Sequence, residues 1–101
     1  MENTKTYTVR VESQIAGESQ DTVMHCFDIR EDALNDSKQL VRQNESNLNS
    51  QEMRLVGAEV NIFVLEKSKY GTDVIAEAKI KRPINSPKTM VFLYGMLKSI
   101  K

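Results

Sequence analysis

Three features of the sequence predict an α+β domain of the order ββαββα. Four stretches alternate apolar and polar residues, one segment between them switches to helical spacing, and an apolar tail follows two prolines. The expected architecture is two β-hairpins forming a four-stranded, mainly antiparallel sheet, with one central helix and a C-terminal helix.

The first strand is expected over Thr6 to Ile15. Tyr7, Val9 and Val11 fall on one side, and Thr8, Arg10 and Glu12 on the other, the period of a half-buried strand. "AGESQD", from Ala16 to Asp21, supplies the glycine and polar residues of a hairpin loop. Thr22 to Ile29 then alternates again through Val23, His25, Phe27 and Ile29.

At "DIREDALNDSKQLVRQ" the period changes. Asp28 and Glu31 are spaced as a capping box, and Glu31, Asp32 and Asp36 bring negative charge toward the positive end of a helix dipole. Ala33, Leu34, Ser37, Leu40, Val41 and Leu48 recur at spacings of three, four and seven or eight that place them on one face, and a helix is expected from about Arg30 to Gln43. The following "QNESNLNSQ" is rich in side chains that compete for backbone hydrogen bonds, and predicts fraying into a polar loop.

The third strand is expected from Met53 to Glu66, with Val56, Ala58, Val60, Ile62 and Val64 on its apolar side and Gly57 marking a bulge. "KSKYGTD" makes a turn. Val74, Ala76, Ala78 and Ile80 then alternate with Ile75, Glu77, Lys79 and Lys81 as the fourth strand.

Pro83 and Pro87 end the sheet. Ser86 reads as an N-cap with proline at the first helical position, which makes "SPKTMVFLYGMLKSIK" a helix. Met90, Leu93, Tyr94, Leu97 and Ile100 take one side of it, and Val91, Phe92 and Met96 flank Gly95 on the other. The rival reading is a fifth strand over "KTMVFLYG", where β-branched and aromatic residues are enriched. Either form exposes apolar surface that a small sheet has difficulty covering, which implies a partner. The chain divides into one domain of residues 1–101, with a core over 5–82, a linker at 83–87 and the apolar segment 88–101.

Composition narrows the functions. At 101 residues with 40% hydrophobic and 28% charged residues, the chain falls in the range of one globular domain. Its single cysteine, Cys26, excludes an internal disulfide and suits a reducing compartment. With no apolar leader at "MENTKTYTVRVE" and no run long enough to span a bilayer, a soluble, cytoplasmic protein is expected.

His25 and Cys26 are the obvious base and nucleophile, but as strand neighbours they point to opposite faces and fail as a catalytic pair. No zinc-ligand spacing occurs. Asp28, Asp32 and Asp36 form a helix stripe that dipole complementarity explains better than a hard cation does. The four glycines, at 17, 57, 71 and 95, are isolated, so no phosphate-cradling loop is present. No catalytic residue, metal ligand or cofactor is therefore assigned.

Charge is distributed unevenly along the chain. Beyond Glu77 come Lys79, Lys81, Arg82, Lys88, Lys98 and Lys101 with no acid, whereas residues 1 to 77 hold eight basic and fourteen acidic side chains. The expected function is a non-catalytic binding or adaptor protein, self-associating as a homodimer or joining a protein partner. Its interface would be Val91, Phe92, Tyr94, Met96 and Leu97, with Lys79, Lys81 and Arg82 as a basic rim. The alternatives are a nucleic-acid accessory protein using the basic 79–88 stretch, and an enzyme subunit whose pocket contains His25.

Overall fold

The computed structural model describes residues 4–14, 21–49, 57–83 and 89–99. Its elements are β1 (Thr6–Gln14), β2 (Asp21–Phe27), α1 (Arg30–Leu48), β3 (Glu59–Ser68), β4 (Gly71–Lys81) and β5 (Met90–Gly95), followed by a 3₁₀ turn over Met96–Ser99. The strands form one antiparallel sheet in the order β2-β1-β3-β4-β5. The fold is α+β as expected, but with five strands rather than four.

The C-terminal helix is the main correction. Residues 90–95 pair antiparallel with β4, from Lys81↔Met90 to Ala76↔Gly95. An apolar segment with polar-free faces suits a strand here, because alternation sends Val91 and Leu93 toward the core and Met90, Phe92 and Tyr94 to the opposite face. Pairing also satisfies the outer edge of β4, which a helix would have left open. The proposed cap and first helical position, Ser86 and Pro87, lie outside the described residues, as do Ile15, most of the first hairpin loop and the stretch Met53 to Val56.

One face of the sheet carries the core. Tyr7, Val9 and Val11 of β1, Val60, Ile62 and Val64 of β3, and Ala76, Ala78 and Ile80 of β4 are all buried there. α1 lays Ala33, Leu34, Ser37, Val41 and Leu48 against them. Ser37 is a polar group inside this layer, and its hydroxyl donates to the Leu34 carbonyl at 2.7 Å, which removes the penalty of burying it unpaired. The Tyr7 hydroxyl donates to Glu66 Oε2 at 3.1 Å, across the β1–β3 pair that joins the same two residues.

The helix runs five residues past the expected end at Gln43. Asn44 turns its side-chain amide back to the Leu40 carbonyl at 2.8 Å instead of competing with the helix, and Leu48 is anchored in the core. At the other end Ile29 is the N-cap with no side-chain hydrogen bond, so the capping box expected from Asp28 and Glu31 does not form. Gly57, at φ 86, precedes β3 rather than interrupting it. Its N–H donates to the Arg82 carbonyl at 2.7 Å, and Arg82 N–H donates to Ala58 at 3.0 Å. The irregularity inside the β3–β4 ladder falls instead between Val64 and Leu65, where Ile75 is the extra residue on β4.

Candidate functional site

α1 covers one face of the sheet, and no described element covers the other. The ladder registers set that open face as transverse rows. One row reads Thr22, Glu12, Asn61, Lys79 and Phe92 from β2 to β5. The next reads Met24, Arg10, Phe63, Glu77 and Tyr94, and Glu59, Lys81 and Met90 lie across β3, β4 and β5 on the other side.

The apolar content of this face concentrates at its β5 margin. Met90, Phe92 and Tyr94 are 45%, 37% and 50% exposed. β5 is also an edge strand, and between Met90 and Gly95 it contains neither a charge nor a proline. Edge strands normally carry such features, which discourage pairing with another chain.

The residues expected at an interface divide by face. Phe92 and Tyr94 point outward, and Met96 is exposed on the 3₁₀ turn that follows. Val91 is half-buried on the helix side, and Leu97 is fully buried within the core. Met90 belongs with Phe92 and Tyr94. A period of two read across residues 90–94 would have grouped these three, where helical spacing scattered them.

Of the basic rim, Lys79 stands opposite Phe92 and Lys81 opposite Met90. Among the described residues, the pairing of β3 beside β4 brings acids to the basic end of β4. Lys81 Nζ lies 3.6 Å from Glu59 Oε1. The Glu59 carboxylate accepts a 3.0 Å hydrogen bond from Asn61 Nδ2. That bond, aided by the nearby Lys79 and Lys81 ammonium groups, holds its pKa below the usual carboxylate value despite partial burial. On the open face Arg10, Lys79 and Lys81 are matched by Glu12, Glu59 and Glu77, with Arg10 and Glu12 forming a direct ion pair. Arg82 lies just beyond β4 and, with Lys81, Ala58, Pro83, Met90 and Phe92, lines a groove of about 460 Å³.

His25 lies on β2, at the opposite edge of the sheet from this groove, and its Nδ1–H donates to Asp36 Oδ2 of α1 at 2.9 Å. Cys26 is exposed on the other face of the same strand. Asp36 of the helix stripe is thereby occupied by a histidine. Among the described residues no three His, Cys, Asp or Glu side chains come together as a metal site, and no helix is long and apolar enough to cross a membrane. Comparison with family models, with curated proteins and with solved structures finds no match.

Proposed function

We propose that this chain is a non-catalytic binding or adaptor protein whose working form is a homo-oligomer joined through β5. The observation that carries this reading is an edge strand free of charge and proline, with Met90, Phe92 and Tyr94 directed to solvent. Val91 and Met96 flank that contact, Lys79, Lys81 and Arg82 form its rim, and the buried Leu97 anchors the strand from behind. A single exposed cysteine suits a reducing, cytoplasmic setting.

A nucleic-acid accessory role draws support from Phe63, Phe92 and Tyr94 on an open sheet face beside Arg10, Lys79 and Lys81. It is the weaker reading, because Glu12, Glu59 and Glu77 balance those cations and a polyanion gains little from a neutral face. The enzyme-subunit reading is weaker still, since the groove lies across the sheet from His25.

Light scattering over a concentration series tests the proposal on the intact chain and on a Met90→Ser, Phe92→Ser, Tyr94→Ser variant. The expected result is a mass that rises with concentration for the intact chain, and a folded monomer by circular dichroism for the variant. An intact chain that stays monomeric at every concentration overturns it.

A further inference from the structure

The edge of β5 has a property beyond being apolar: it is complementary to itself when reversed. In an antiparallel pair, directly opposed residues lie on the same face. For a strand meeting its own copy about a two-fold axis perpendicular to the sheet, the numbers of opposed residues must therefore sum to an even value. An odd sum would set outward Phe92 against inward Leu93. Centred on residue 92, the outward positions oppose Met90 to Tyr94 and Phe92 to itself, while the inward positions oppose Val91 to Leu93. Every pair from Met90 to Tyr94 is apolar or aromatic, no charge enters the seam, and only the strand's last residue, Gly95, falls opposite a position outside it, Thr89.

Neighbouring even registers fit less well. Centring on Leu93 opposes Val91 to Gly95, which has no side chain to pack, and Met90 to Met96, where the chain has already left the ladder for the 3₁₀ turn. Centring on Val91 opposes Leu93 to Thr89, which precedes the strand.

The charges behind the seam are compatible with the central register. The row through Tyr94 carries Glu77 on one side and, beyond Met90 of the second copy, that copy's Lys81 on the other. The row through Phe92 has Lys79 at both ends, separated by three strand spacings or ~14 Å, which exceeds the screening length of about 8 Å at physiological salt. The β2 edge is less suited to pairing, because the hydrogen-bonded His25 and Asp36 and the polar Thr22 stand along it.

We propose that two copies join by antiparallel pairing of β5 with itself, Phe92 opposite Phe92 on the two-fold axis, into one continuous sheet of ten strands, five from each copy. This rests on the self-association read above and specifies its symmetry and register. A closed two-fold contact uses the same patch on both copies and ends at the dimer. A seam of five residues, Met90 to Tyr94, spans ~17 Å and lies at the small end of the interface range, so the dimer is expected to be weak and concentration-dependent.

Cysteine cross-linking tests the register in a Cys26→Ser background. Phe92→Cys should form an intermolecular disulfide under mild oxidation at least tenfold faster than Tyr94→Cys or Leu93→Cys. Because Phe92→Cys also trims the contact, the double variant Met90→Cys, Tyr94→Cys keeps Phe92 and should cross-link through the opposed 90–94 pairs. A dimer by light scattering that cross-links fastest at Leu93→Cys or Tyr94→Cys overturns the register while leaving self-association standing. Absence of any dimer overturns both.

Discussion

The backbone carbonyl oxygen of Ile75 lies closer to the position of a Cβ on residue 95 than van der Waals contact allows. Gly95 closes β5 opposite Ala76, at a positive φ of 66° that L side chains rarely adopt. Ile75 is the extra residue of the irregularity in the β3–β4 ladder. The two features act together, since the extra residue on β4 meets the one residue of β5 that has no side chain. From there the chain leaves the ladder and carries Leu97 into the core.

Gly95→Ala should therefore be costly at a position that is itself exposed. Strain in the left-handed region contributes about 1–3 kcal/mol, and the clash is with backbone, which cannot rotate aside. A loss of that size or more in urea unfolding is expected, together with a Tm lower by roughly 4–8 °C for each kcal/mol. An unchanged midpoint would show that the end of β5 has no need of glycine.

Leu97 and Phe92 are close in sequence and should respond oppositely. Leu97 is fully buried, so Leu97→Ala leaves a cavity and should cost about 2–5 kcal/mol. Phe92 lies on the open face at the sheet edge, and Phe92→Ser should leave monomer stability nearly unchanged while lowering the mass measured at high concentration. Paired denaturation and light-scattering measurements separate these outcomes. A Phe92→Ser variant as destabilised as Leu97→Ala would place Phe92 in the core of the monomer.

The sheet and α1 were legible because their patterns are unambiguous. Tyr7, Val9 and Val11 alternate in β1, Val60, Ile62 and Val64 in β3, and Ala33, Leu34, Ser37 and Val41 follow the helical repeat, each facing the shared core. What local pattern left open was decided by long-range partners. Residues 90–97 satisfy both periods, and the free edge of β4 selected the strand. The continuation of α1 to Leu48 depended on a burial site that only the assembled sheet provides. The same holds for the candidate site, where Phe92 and Tyr94 were visible as apolar, but the pairing of Lys81 with Glu59 depends on the β3–β4 register, which sets the far ends of that hairpin side by side.

Glu59 gives that pairing a pH signature. The Asn61 amide first, then the Lys79 and Lys81 charges, favour its ionised form in the folded chain and lower its pKa from the ordinary 4.5. A carboxyl depressed on folding contributes stability that is fully present above its unfolded value and is lost as pH falls through the folded one. Glu59→Gln should thus reduce stability from about pH 5 to 7, with the two proteins converging as the pH drops below the ordinary carboxylate range. The side chain is partly exposed, so the difference should be small and should shrink with added salt. Urea midpoints at a series of pH values measure it. A Glu59→Gln deficit that persists undiminished at pH 2 would trace the effect to packing rather than to the carboxylate charge.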